Sequence, residues 1–216
     1  MNVNHKAEHT RDRILDEAEI LFARKGYRAV SIREIIQAAH CNLAAVNYHF
    51  GQKRNLYLEV FRSRWIPRAK RVQKAFRESL DRESSPSLDT IVRLLTEAFI
   101  QGPLSEEERH LHHQLMAREQ AEPSEALELI AREVMQPFFK EISALFQQAL
   151  PVDVEEGTLR LFLLSMFSQI LYFSFARAAV TRITGREYDR VFKARLSDHI
   201  VKFSLHGLEA VKGEKK

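Results

Sequence analysis

Within one short stretch stand Ser31, Asn47, Tyr48, His49 and Lys53, residue types that suit the recognition of a nucleic acid. An amide such as Asn47 can pair in a bidentate way with N6 and N7 of adenine, while a hydroxyl, a phenol, an imidazole and an ammonium suit bases or phosphate oxygens. Ala44 and Ala45 are small enough for the backbone to come close, and Leu43 offers apolar surface to a thymine methyl or a sugar. This is chemistry of recognition rather than of transformation. The chain has no Gly-rich phosphate loop, no recognisable nucleophile–base motif and no metal signature, so no enzyme activity and no cofactor are expected. Cys41 is the only cysteine, which excludes an internal disulfide and makes a packed thiol the favoured reading over an oxidant sensor. In the run ERHLHHQLMARE, His110 and His113 share a helix face with Glu106, but no second tight ligand pair accompanies them. A solvated face is the better reading, and no metal site is assigned.

Two short helical patterns position these groups. Ser31 with Glu34 three residues on forms a capping box, and Ile32, Ile35, Ile36 and Ala39 follow at helical spacing. Asn42, a good N-cap, opens a second helix over Leu43, Ala44, Ala45 and Val46 after a turn of the helix-turn-helix length. Upstream, Ile14, Leu15, Ala18, Leu21 and Phe22 line one face of a supporting helix over residues 13–24, with Gly26 just past its end. Downstream, Gly51 ends the second motif helix and Leu56, Tyr57, Val60 and Phe61 repeat from Lys53 onward. Tyr48 as a half-buried packing residue and His49 as a helix cap are the bland alternatives to contact with DNA.

Over about fifty residues, TRDRILDEAEILFARKGYRAVSIREIIQAAHCNLAAVNYHFGQKRNLYLEVF resembles the N-terminal domain of TetR-family transcriptional regulators, including the Gly-Tyr after the first helix and the closing Tyr-His-Phe. The resemblance implies that Leu43, Ala44 and Asn47 meet base edges, and that Ser31, Ala45, Tyr48, His49 and Lys53 meet phosphates, with Asn42 counted in the same interface. Two positions depart from the family. His40 stands where a glycine is usual, so the turn is expected to avoid a left-handed conformation. Asn47 stands where an aromatic residue is common, which suggests a different operator. The segment EPSEALELIAREVMQPFFKEI together with LAAVNYHFGQK is similar to a TetR subgroup linked to antibiotic or toxic-compound response.

Charge is divided unevenly. Residues 1–80 carry 16 Lys+Arg against 8 Asp+Glu, and the remainder 17 against 21. The basic half holds the motif, and Arg11, Arg24, Lys25, Arg28, Lys53 and Arg54 are candidate phosphate contacts giving a salt-dependent share of affinity. The N-terminus has no apolar run, so no signal peptide or anchor is expected and a cytoplasmic location is.

Beyond Phe61 nearly every long segment has a helical period. A helix from Lys53 to about Leu80 is expected to kink at Pro67, a loop to cover 81–87, and helices to follow at about 87–101, 105–120, 124–149, 155–181 and 187–211, with Pro137 bending the third. The most apolar segment, Thr158 to Val180, is interrupted by Ser165, Ser168, Gln169 and Ser174, so a membrane span is rejected. It reads better as a helix packed inward on its own domain and outward on a second copy. TetR-family proteins dimerise through a four-helix bundle of their last two long helices, so the resemblance implies the same. Two heads about 34 Å apart would read a palindromic double-stranded operator.

Candidates for a small-molecule pocket are Phe99, His112, His113, Met116, Phe139, Gln169, Tyr172 and Phe173, although Met and Phe at helical spacing are more often core. The expected fold is all-α, with a helix-turn-helix DNA-binding domain over 1–55 and a helical ligand-binding and dimerisation domain over 56–216. The expected function is that of a DNA-binding transcriptional regulator, a repressor released by a small-molecule effector. A helical protein-binding adaptor is the alternative.

Overall fold

A computed structural model describes the backbone over residues 3–151 and 154–212, and side chains over 7–151 and 154–208. The architecture is all-α, and among the described residues there is no strand. Twelve α-helices are described: α1 Val3–Ala29, α2 Ile32–Ala38, α3 Leu43–Phe50, α4 Lys53–Val60, α5 Ile66–Leu80, α6 Leu88–Gln101, α7 Glu106–Ala121, α8 Glu125–Ile130, α9 Gln136–Ala149, α10 Glu156–Phe175, α11 Arg177–Thr184 and α12 Arg190–Lys212. Gly26 sits inside α1 with φ 80 and ψ 166, so the regular helix stops there and the chain swings toward α2.

Two prolines act differently from the expected kinks. One turn of π-helix, Phe61–Trp65, precedes Pro67, and another, Ala131–Met135, precedes Pro137. A proline ring clashes with the carbonyl four residues back, and a π turn moves that carbonyl aside. The amide of Ile66 accordingly donates to the Phe61 carbonyl, and that of Gln136 to the Ala131 carbonyl. The carbonyl of Ser63, four residues before Pro67, accepts instead from Arg64 Nη1 at 3.3 Å. The expected single helix over 155–181 is also corrected, because it breaks at Ala176 (φ −90, ψ 28) between α10 and α11.

The chain forms two compact units, residues 1–70 with 104–136 and residues 71–103 with 137–216. These lines fall elsewhere than the expected 1–55 and 56–216, because α7 packs against α1 and α8 against α4.

In the first unit α1 packs on α2, α3, α4 and α7, enclosing Ile14, Leu15, Phe22, Ile35, Val46 and Leu56, all fully buried. Several of its buried polar groups are paired. Arg68 meets Glu19 through two hydrogen bonds, one of 3.0 Å, and Trp65 Nε1 donates to the His112 carbonyl at 3.0 Å. Glu119 is buried, and accepts from Tyr57 Oη at 2.5 Å, from the Ser124 amide at 3.0 Å, from the Leu127 amide at 3.1 Å and from the Ser124 hydroxyl at 2.9 Å. Donors on both carboxylate oxygens make its burial tolerable.

In the second unit α6 packs along α12, and α10 lies against both. Ile91, Leu95, Leu163, Met166, Ile170 and Ile200 form its core. Arg177 donates to the Ile100 carbonyl at 2.6 Å and Ser174 to the Phe99 carbonyl at 3.1 Å, which satisfies two of the four orphan acceptors at the end of α6. The break at Ala176 places Arg177 at the start of α11, beside those carbonyls.

Candidate nucleic-acid interface

Helix α2 starts at the expected capping box. The Glu34 amide donates to Ser31 Oγ at 3.2 Å, and the Ser31 amide donates to Glu34 Oε2 at 2.8 Å. Its end is a Schellman turn: the Cys41 amide donates to the Ile36 carbonyl at 3.2 Å and the His40 amide to the Gln37 carbonyl at 3.3 Å. That turn needs a left-handed residue, and His40 supplies it with φ 46. The expectation that His40 would avoid the left-handed region is therefore corrected: the hydrogen bonds of the turn outweigh the steric cost of a side chain there.

Asn42 caps α3 by accepting from the Ala45 amide at 2.8 Å. Val46 and Phe50 point into the core, which turns Leu43, Ala44, Asn47 and Tyr48 out to solvent. Leu43 is 54% exposed and Tyr48 82%, so Tyr48 is no packing residue. His49 is half-buried in the last turn of α3, edge-on to Tyr48 with ring centroids 5.0 Å apart. The exposed face of one short helix thus carries an amide, a phenol and two small or aliphatic side chains, a set able to enter a major groove and touch base edges.

The groups assigned to phosphates are arranged less simply. Both donors of Ser31 are committed to Glu34, since its hydroxyl donates to Oε2 at 2.9 Å as its amide does. A phosphate can use them only by displacing that carboxylate. Glu34 also accepts from Lys25 Nζ at 2.8 Å, and the lysine and serine partners hold its carboxyl down at about 2. Lys53 at the start of α4 sets its ammonium over the Tyr27 ring, 4.4 Å from the centroid. Burial lowers its pKa from the ordinary 10.5, and the charge of Glu34 partly offsets this.

Several of the expected phosphate contacts are paired within the protein. Arg11 bonds Glu59 at 2.5 Å, Lys25 bonds Glu34, Arg28 lies 3.5 Å from Glu122, and Arg54 Nε donates to Glu125 at 2.6 Å in a two-point pair. Their charges are shared with acids, so the head's excess of cations overstates the number free for DNA. Cys41 is half-buried, and burial pushes its thiol up more than nearby Arg13 lowers it, which fits a packed thiol.

Of the pocket candidates, His112, His113 and Met116 lie in the first unit and Phe99, Phe139, Gln169, Tyr172 and Phe173 in the second. His112 is buried and stacked on Trp65 (4.2 Å, 9°). Phe99 and Phe139 are half-buried and meet Phe167 at 6.1 and 6.4 Å. Tyr172 is 51% exposed on the outer side of α10, and Phe173 stands edge-on to His199 of α12 at 6.4 Å. Among the described residues, no three His, Cys, Asp or Glu side chains come together as a metal-ligand group.

Tyr27, Glu119 and Arg118 take structural roles here that the expected site residues do not include. Arg118 donates to the carbonyls of Ala23 and Arg24, closing the end of α1 from α7. Only the Gly-Tyr pair carried a signal for Tyr27; nothing local marks a bond such as that of Arg118 to Ala23, made 95 residues away in the chain.

Two family models match. The one described as bacterial regulatory proteins of the tetR family covers residues 14–60, and the one described as the C-terminal domain of the HTH-type transcriptional dual regulator CecR covers 88–208. Among curated proteins, the chain is 26% identical to the HTH-type transcriptional dual regulator CecR of Shigella flexneri over 188 residues, covering 83% of this chain and 82% of that protein. It is 35% identical to the HTH-type transcriptional regulator QacR of Staphylococcus aureus over 66 residues, 29% of this chain and 35% of that one. Its fold is similar to that of a transcriptional regulator from Pseudomonas aeruginosa PAO1, with a TM-score of 0.67 and 15% identity over 93% of this chain and 90% of that one. An α2–turn–α3 head with an exposed reading face, followed by a C-terminal region matched over more than half the chain, leaves one conclusion: the chain belongs to the TetR family of DNA-binding transcriptional regulators, with a C-terminal domain of the CecR type.

Proposed function

We propose that the protein acts in the cytoplasm as a homodimeric repressor that leaves a palindromic operator when a small molecule binds its C-terminal region. The observation that carries this reading is the outer side of α10 and α12. Leu161 (68% exposed), Leu164 (55%) and Tyr172 (51%) stand out from α10, and Val191 (68%) and Phe203 (58%) from α12. Leu161, Leu164 and Tyr172 share the side of α10 opposite its buried face, so that exposed stripe suits a second copy, and α12 adds exposed Val191 and Phe203. Helix α10 is also long and apolar enough to cross a membrane by length and composition. Packing of Phe162, Leu163, Met166 and Ile170 in the core supports a bundle helix instead.

In the dimer, Leu43, Ala44 and Asn47 would meet base edges, while Tyr48, His49, Lys53 and the amides at the start of α3, capped by Asn42 and flanked by Ala45, would meet phosphates. Ser31 would join them where the phosphate displaces Glu34. The effector site is assigned to the aromatic cluster of Phe99, Phe139 and Phe167, which offers half-buried apolar surface of the kind small ligands seek. A ligand binding one dimer conformation better than the other shifts operator affinity without touching DNA.

A reporter fused to DNA upstream of the protein's own gene tests this reading. Deleting the regulator should raise expression, and a compound that restores expression should also weaken the purified complex. The name of the relative CecR describes a dual regulator, and a fall in expression on deletion would make this protein an activator at that site.

A further inference from the structure

Lys53 occupies an awkward place for a cation. It is the first residue of α4, whose N-terminal amides receive no side-chain cap from Gln52. Unpaired amides give a helix N-terminus partial positive charge, which repels an ammonium and attracts an anion. Two features hold the lysine there all the same. Its Nζ lies over the Tyr27 ring, where the negative face of the π system attracts it. Glu34 lies close enough for its charge to act on Lys53, but that carboxylate is taken by Ser31 and Lys25.

Tyr27 is itself held. It follows Gly26, whose positive φ turns the chain out of α1, and its ring packs against Phe22 (centroids 6.2 Å) and Tyr57 (4.9 Å). Tyr57 in turn donates to buried Glu119. A lysine side chain free in water samples many rotamers and must give them up to hold one phosphate. One laid on a fixed aromatic face has already done so.

We propose that Tyr27 is a positioning residue for DNA binding: its fixed ring face seats the Lys53 ammonium beside the uncapped start of α4, where the two together receive a backbone phosphate of the operator. The inference rests on Lys53 being a phosphate contact, and it adds the residue that makes that contact preorganised. The ring need only be aromatic. Its hydroxyl plays no part in the seat.

Operator affinity of the full chain over a series of salt concentrations tests this in four variants: Lys53→Ala, Tyr27→Phe, Tyr27→Leu and the Tyr27→Leu/Lys53→Ala double. Lys53→Ala should lower the slope of log K against log salt by about 0.9 for each phosphate the protein no longer neutralises. Tyr27→Phe should match the parent. Tyr27→Leu should weaken binding about two- to fivefold, the scale of an exposed cation–π interaction, yet cost nothing further once Lys53 is alanine. Equal losses from Tyr27→Leu in both backgrounds would show that the ring acts through folding alone and would overturn the proposal. An unchanged slope for Lys53→Ala would remove the phosphate contact itself, a separate failure. Should Tyr27→Leu fold poorly, fluorinated phenylalanines at position 27 keep the shape and weaken the ring face in steps. Affinity should then fall stepwise with Lys53 present and stay level with Lys53→Ala, and level affinity in both would overturn the seat.

Discussion

Two surfaces leave apolar side chains in water, and they do so in different company. On α3, exposed Leu43 and Tyr48 alternate with Ala44 and Asn47, and Lys53 follows just beyond the helix. On α10 and α12, exposed Leu161, Leu164, Val191 and Phe203 stand among Ser165, Ser168, Arg195 and His199 on helices whose other faces are packed. The first surface is narrow, amide-bearing and followed by Lys53, a composition that suits the proposed contact with base edges and phosphates. The second carries larger apolar side chains and no amide row beside a lysine, a composition that suits the proposed second copy. Exposure alone therefore distinguishes nothing; the neighbours of each exposed group decide what it is for.

Substitutions can separate the two surfaces, and the largest effect belongs to the second. Leu161→Glu with Leu164→Glu should give a monomer by sedimentation at concentrations where the parent is a dimer. Operator affinity should then fall by at least about 100-fold, the usual scale of lost bivalency. A double variant that stayed dimeric would move the interface elsewhere. On the first surface, Asn47→Ala should cost about 1 to 3 kcal/mol on the matched operator and relax discrimination at one base pair of each half-site. Equal loss on matched and mismatched sites would make Asn47 a phosphate contact.

Away from both surfaces, effects should appear in stability and leave sequence preference alone. His112 is buried against Trp65, and its Nδ1 has no hydrogen-bond partner. Burial, with the charges of His113, Arg68 and Arg109, holds its pKa well below 6.5. The unfolded chain therefore takes up a proton near pH 6.5 that the folded protein refuses until lower pH. Stability from this group is complete above pH 6.5 and falls by at most about 1.4 kcal/mol per pH unit below it. His112→Phe should flatten that part of the urea-unfolding profile, and an unchanged profile would place the sensitivity in other groups. The smallest effect is expected at His40, whose φ of 46 costs a side chain about 1 kcal/mol. His40→Gly should raise Tm slightly, and a lowered Tm would mean that the imidazole makes a compensating contact.

Local signals were legible in the chain. The capping box of Ser31 and Glu34, the Asn42 cap and the stop at Gly26 rest on neighbours within a few residues, and each stands where the spacing put it. The π turns before Pro67 and Pro137 were not legible, since a proline announces a disturbance but not how the helix absorbs it. The cation count of the head misleads for a related reason. Arg54 looks free beside Lys53, yet its partner Glu125 lies 71 residues on. The seat of Lys53 on Tyr27 spans 26 positions and depends on the turn at Gly26. What was missed is long-range pairing, which one-dimensional periodicity does not encode.

In the proposed dimer two α3 faces, joined through α10 and α12, read one palindromic DNA site. Fluorescence anisotropy of the purified chain on DNA upstream of its own gene, against a shuffled duplex of equal length and over a range of salt, tests it directly. The complex should saturate at two protomers per site, weaken steeply with salt and be at least about 1,000-fold tighter than on the shuffled duplex. Equal affinity for both duplexes would contradict it.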